Sequence, residues 1–189
     1  LAKELKAEGH DIVIASNGGV YVPEIKAAGI RHYSVPMHRR SLNCMRRSRS
    51  LLKEIIRKEQ PDVVHAHARI PAFLCGSLHA TMHFPFVTTA HWVFETRGML
   101  RYLTNWGQRT VAVSEDIKAY LMREYGVPEE HITVTVNGID TNKFSPEVSR
   151  DKVMGELGLD PQRPVISYVS RMDEDRALVA RQLVQIAKD

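Results

Sequence analysis

The sequence predicts an α/β fold in which a parallel sheet is flanked by helices, and three observations carry that expectation. Short apolar runs rich in β-branched residues, such as 63–66 (VVHA) and 86–90 (FVTTA), alternate along the chain with segments of helical periodicity. The stretch 60–92 holds a strand, a helix and a second strand, the length expected of a crossover between parallel strands. The 189 residues are 43% hydrophobic and 25% charged, an ordinary globular composition. No apolar run approaches the roughly 18 residues that a membrane-crossing helix needs.

Residues 1–8 read as the end of an amphipathic helix, with Leu1 and Leu5 one turn apart and Gly9 placed to close it. A strand follows at 11–15, then the turn Ser16-Asn17-Gly18-Gly19, which reads as a plain strand-to-helix turn because the full dinucleotide fingerprint is missing. A short helix at 23–28 closes at Gly29, and the polar positions of the next strand, 30–35, suit a sheet edge. In 41–59, Leu42, Met45, Leu52, Ile55 and Ile56 fall mainly on one helical face and the arginines largely off it. That helix is expected to lay its apolar side on the sheet and turn its cationic side outward.

Pro71 sits in the first turn of a helix at 71–83, where its missing N–H has no helical partner to lose. A helix at 98–106, a strand at 110–113, a helix capped by Ser114 and closed by Gly126, and a strand at 132–136 continue the alternation. Ser145 and Pro146 form an N-cap and first-turn pair ahead of a short helix at 152–157. Pro161 and Pro164 then mark a linker. It divides the chain into a first domain, 1–160, and the start of a second, 161–189, with a strand at 165–169 and a helix at 177–187. Because the chain opens inside a helix and then enters a strand, the first strand of the first domain is expected to be missing.

The net charge of +4 is unevenly spread. Arg39, Arg40, Arg46, Arg47, Arg49, Lys53, Arg57 and Lys58 stand against Glu54 alone, a local basic face suited to phosphates or an anionic membrane surface. A solvated helix face explains the same run. Cys44 and Cys75 lack metal-type spacing and read as two reduced thiols of a cytosolic protein.

In open parallel sheets, ligands collect beyond the carboxyl ends of the strands. His67 and His91 each come immediately after a strand, at that rim. Each reads as a polar group near a ligand or as a satisfied structural histidine, and their position leaves both open. His65 and His67 are two apart and share a strand face, yet no third ligand has matching spacing, so no metal is expected. Arg171 and Arg176 are five residues apart across the turn into a helix, an arrangement that suits a diphosphate. Salt bridges to Asp173, Glu174 and Asp175 account for them equally well.

Taken together, PDVVHAH at 61–67, VTTAH at 87–91, VAVSEDIKAYL at 111–121, ITVTVNGIDTNKFSP at 132–146 and ISYVSRMDEDRA at 166–177 resemble one family. It is the retaining glycosyltransferases of family four, the group-one nucleotide-sugar transferases, and the NGID-x3-F-x-P segment at 137–146 is the most specific piece. The resemblance implies the GT-B architecture, two Rossmann-like domains facing across a cleft. The N-terminal domain mainly holds the acceptor, and the C-terminal domain mainly holds a nucleotide-diphosphate sugar. His91 then matches the cleft histidine that contacts the donor sugar, and Arg171 the arginine that contacts the donor diphosphate. Arg176 stands where the family usually has the lysine of R-x4-K-G; here R-x4-R-A keeps the charge, changes the donor geometry and loses the glycine. His67, Arg69 and Asn137 fall on the acceptor side of the cleft.

The implied reaction moves a sugar to an acceptor hydroxyl with the anomeric configuration kept. No cofactor and no metal are implied, since cationic side chains can stabilise the leaving diphosphate. The implied partners are a nucleotide-sugar donor and a lipid-linked or carbohydrate acceptor, with no nucleic acid. The basic helix at 39–58 suits peripheral contact with the cytoplasmic leaflet, and a place in cell-envelope synthesis. By the same resemblance, the family's first strand with its Gly-rich loop and most of the donor-binding domain are missing from these residues, which are expected to be inactive alone.

Other classes fit less well. A nucleotide-sugar 2-epimerase of the same architecture needs an acid/base set, and no paired carboxylates stand at a strand end. A basic nucleic-acid module lacks an aromatic ladder or recognition motif. A nicotinamide oxidoreductase lacks its phosphate-binding fingerprint.

Overall fold

The computed structural model describes residues 1–38, 41–93, 98–101, 104–147, 149–170 and 174–187. The chain forms two compact units, Leu1–Gly138 and Ile139–Asp189. The proline-marked linker at 161–164 therefore falls inside the second unit.

In the first unit, helices and strands alternate: α1 (Ala2–Ala7), β1 (Val13–Ser16), α2 (Val22–Ala27), β2 (Arg31–Ser34), α3 (Leu42–Glu59), β3 (Val64–Ala66), α4 (Arg69–Met82), β4 (Phe86–Ala90), β5 (Arg109–Ala112), α5 (Glu115–Tyr125) and β6 (Ile132–Val134). Among the described residues every strand pairing is parallel. β1 pairs with β2, Val13 opposite Arg31, and a second sheet runs β3-β4-β5-β6. This is the α/β arrangement expected of alternating elements.

The helix ends follow local chemistry. Ser41 caps α3 by accepting from the Cys44 N–H at 3.4 Å, and Ser114 caps α5 by accepting from the Ile117 N–H at 3.3 Å. Gly126 ends α5 in the left-handed conformation, as Gln60 and His83 end α3 and α4. Pro71 is the third residue of α4, within its first turn. α3 packs on the sheet through buried Leu52 and Ile56, with Met45, Leu51 and Ile55 partly buried beside them. These side chains meet Leu74, Cys75 and Leu78 of α4 and Phe86 of β4 in one core cluster; Ile117, Tyr120 and Leu121 of α5 build a second on β4, β5 and β6. Cys44 and Cys75 are both free thiols, and burial pushes Cys75 up to about 12.

Four local expectations fail. Of the helix expected at 98–106, one 3-10 turn forms, Gly98–Arg101, and the backbone has left it by Thr104. The Trp106 carbonyl is taken by the hydroxyls of buried Thr88 and Thr110, and the Asn105 side chain accepts from the Gly107 N–H, so tertiary bonds outweigh helical periodicity. The segment 165–169 forms no regular element and pairs with no strand among the described residues, and Val169 is 95% exposed. A lone strand has nowhere to spend its backbone hydrogen bonds. Ser145 accepts from the Glu147 N–H in a turn, and no helix starts there. Leu42 opens α3 but stands 75% exposed, off the buried face.

The second unit holds α6 (Asp151–Glu156), with Met154 buried, and α7 (Glu174–Ile186). Among the described residues no helix is long and apolar enough to cross a membrane.

Candidate functional site

Strand register assembles the site. β3 and β4 lie side by side with Val64 opposite Phe86, His65 opposite Val87 and Ala66 opposite Thr88. Each strand ends within a residue of a histidine, so His67 and His91 emerge together at the carboxyl edge. His67 Nδ1 and His91 Nε2 are 3.2 Å apart. His65 contributes from one pleat earlier: its ring centre is 4.1 Å from that of His67, and its Nε2 is 2.7 Å from Thr89 Oγ1. Thr89 is a site residue that the sequence motifs do not single out. In β4, Phe86, Thr88 and Ala90 are buried while Val87 and Thr89 are half-buried. That alternation puts Thr89 and His91 on one face and is the signal that finds it.

Burial holds His67 down to about 4, with the neighbouring imidazoles of His65 and His91 adding to the effect. His65 is lowered too, first by burial and then by His91. Both rings are suited to hydrogen bonding as neutral imidazoles near pH 7. Among the described residues no group of three or more His, Cys, Asp or Glu side chains is placed to hold a metal ion.

The other expected site residues are more dispersed. Arg69 is the first residue of α4, two beyond His67, and borders a narrow cleft with Ala66, Ala72, Thr89 and Trp106. Asn137 is exposed beyond the end of β6, which β5 separates from β4 by two inter-strand spacings, about 10 Å. Arg171 lies outside the described residues; Arg176 belongs to α7, and its side chain is outside the description as well. Both belong to the second unit. Trp92 and Val93 follow His91 and are 67% and 48% exposed, apolar surface beside the histidine pair.

The basic helix divides by function. Arg49 turns inward, its Nε donating to Ser77 Oγ at 3.0 Å and so tying α3 to α4. Lys58 donates to the Tyr33 hydroxyl at 2.8 Å. Arg46, Arg47 and Arg57 remain exposed, while Arg39 and Arg40 lie outside the described residues.

With this geometry in place, comparison with known proteins decides the family. Residues 1–143 match the family model described as Glycosyltransferase Family 4. The chain belongs to glycosyltransferase family 4. The chain is similar to the alpha-maltose-1-phosphate synthase of Mycolicibacterium smegmatis, 30% identical over 139 residues, covering 64% of this chain and 36% of that protein. The UDP-Gal:alpha-D-GlcNAc-diphosphoundecaprenol alpha-1,3-galactosyltransferase of Escherichia coli is 25% identical over 164 residues, 76% of this chain and 41% of that protein. Among solved structures, a glycosyltransferase from Rickettsia africae ESF-5 superposes with a TM-score of 0.75 at 27% identity, covering 92% of this chain and 48% of that one. The fold is thus the Rossmann-like parallel sheet with flanking helices of GT-B glycosyltransferases. The chain spans about a third to a half of the length of these similar proteins.

Proposed function

We propose that the whole protein is a retaining glycosyltransferase that moves a sugar from a nucleotide-diphosphate sugar to an acceptor hydroxyl, in the synthesis of a cell-envelope glycolipid or polysaccharide. One observation carries the reading: a family 4 chain whose His67 and His91 meet at adjoining strand ends, where parallel sheets bind ligands. His91 contacts the donor sugar near the reacting carbon. His67, Arg69 and Asn137 border the acceptor. Arg171 and Arg176 hold the donor diphosphate and stabilise the negative charge that grows on it as the glycosidic bond breaks. With that charge met by guanidinium groups, the reaction runs without a metal ion, and the nucleotide sugar serves as co-substrate.

The Escherichia coli relative is named for a diphosphoundecaprenol-linked acceptor, which supports a lipid-linked or otherwise anionic acceptor here. Exposed Arg46, Arg47 and Arg57 on α3 support peripheral contact with the anionic cytoplasmic leaflet.

The deciding experiment screens UDP-, GDP- and ADP-sugars for nucleotide release by the whole protein. Slow hydrolysis of one donor, lost in Arg171→Ala and His91→Ala variants that remain folded, is the expected result. Silence across the panel, with membrane lipid extract supplied as acceptor, overturns the reading. For the membrane contact, co-sedimentation with vesicles should rise with their anionic lipid content and fall in Arg46→Glu/Arg47→Glu. Binding indifferent to both removes that part of the proposal.

A further inference from the structure

We propose that His67 is a positioning residue for His91: it engages His91 Nε2 head-on, fixes the plane of that ring and leaves Nδ1 as the nitrogen free to meet the sugar. The inference rests on the reading of His91 as the donor-facing histidine.

The geometry of the pair is specific. With ordinary ring bond lengths, an imidazole nitrogen lies about 1.1 Å from its ring centre. Two such radii added to the 3.2 Å between His67 Nδ1 and His91 Nε2 come to within about 0.1 Å of the observed 5.5 Å between ring centres. The two nitrogens therefore lie on the line joining the rings, whose planes differ by 25°. This is an edge-to-edge N–H···N bond, with the rings end to end and not face over face. It uses one proton and one lone pair, so one imidazole donates and its neighbour accepts. His91 has two ring nitrogens, and this bond consumes Nε2.

His67 is itself braced. The His65 ring lies 4.1 Å from it, centre to centre, and is anchored by Thr89 Oγ1. Its low affinity for protons keeps His67 neutral across the working range of most enzymes, so the bond does not give way to repulsion between two imidazolium groups. The chain Thr89, His65, His67, His91 thus runs from a half-buried threonine of β4 to the rim. A histidine just past a strand end otherwise has freedom about both of its side-chain torsions, and a misplaced reacting contact is costly in rate.

The test uses the whole protein with 15N-labelled histidine and the donor found by the nucleotide-release screen. His67→Ala should lower kcat about tenfold or more while KM for the donor stays within about threefold, the pattern of lost orientation. His67→Asn, which keeps a hydrogen-bonding group near the position of Nδ1, should recover most of that loss. Equal damage from Ala and Asn in folded protein, or an effect on KM alone, overturns the inference. Long-range 1H–15N spectra give a readout that needs no turnover. The His91 ring nitrogens should show one tautomer in the wild type and a mixture in His67→Ala, and unchanged His91 signals overturn the proposal. If His91→Ala keeps full activity, the catalytic reading of His91 fails, and the spectra still decide whether His67 orients it.

Discussion

Gly76 on α4 and Asn105 in the loop before β5 share one space: a Cβ built on Gly76 would stand 2.2 Å from Asn105 Nδ2. The helix gives up side-chain bulk at this point so that the loop can close on it. Asn105 in turn accepts from the Gly107 N–H at 2.8 Å. Replacing Gly76 with Ala should improve helix propensity by about 1 kcal/mol and still lower stability by about 1–3 kcal/mol, because Asn105 must move. Denaturant unfolding checks the sign. Adding Asn105→Ala to the same chain should return part of the loss, and a more stable Gly76→Ala protein would contradict the contact.

Ser114 is exchangeable in a more modest way. Its hydroxyl accepts from the Ile117 N–H, an N-terminal donor of α5 with no partner inside the helix. Ser114→Ala should cost about 1 kcal/mol, and Ser114→Asp should cost little, since a carboxylate caps equally well and suits the helix dipole. Thermal melting of the two variants checks the cap.

Thr88 is 1% exposed, and its hydroxyl donates to the Trp106 carbonyl at 2.8 Å. Thr88→Val keeps the shape and removes the donor. Thr110 continues to donate to the same carbonyl, so the expected loss is that of one net hydrogen bond, about 1 kcal/mol. A Thr88→Val/Thr110→Val chain takes both hydroxyl donors from the carbonyl and should lose more than the sum of the two single variants, measured by a double-mutant cycle.

The proton affinity of His67 gives stability a pH dependence of definite sign. Its folded value of about 4 lies below the 6.5 of a free imidazole. Between those values the unfolded chain binds a proton that the folded chain refuses, so stability declines as pH falls from about 6.5 to about 4. The side chain sits at the rim and is partly open to water, which keeps the effect small. Melting temperatures across this window should slope less steeply in His67→Asn than in the wild type. Equal slopes would assign the dependence to other groups.

The histidine pair was legible before the structure was known. The crossover length at 60–92 implied parallel neighbours, and their strand ends implied a shared rim for His67 and His91. Caps were legible for a similar reason, since Ser114 and Gly126 act through the backbone beside them. What escaped was set by groups distant in the chain. The segment 98–106 has the leucines of a helix, but Thr88 and Thr110 bond the Trp106 carbonyl from two neighbouring strands. Arg49 looks like one more exposed cation, yet Ser77 on α4 draws it inward. Segment 165–169 has strand composition and no strand beside it among the described residues.

The division of the strands into a pair and a foursome has a consequence for how this chain opens. Among the described residues β1 and β2 pair with no strand but each other, and all four residues of β1 are only half-buried. In contrast, β4 has a neighbour on each side and buries Phe86, Thr88 and Ala90. A two-stranded sheet is marginal in water without support, and here the support comes from Ala15 and fully buried Val35 in the core beneath α3 and from the bonds of Tyr33 to Lys58 and Glu59. In native-state hydrogen exchange the amides of β1 and β2 should become deuterated through a low-energy local opening, with those of β4 and β5 waiting for global unfolding. The chain would then carry two foldons within one compact unit, the weaker one holding the Gly18-Gly19 turn and the firmer one the histidine rim.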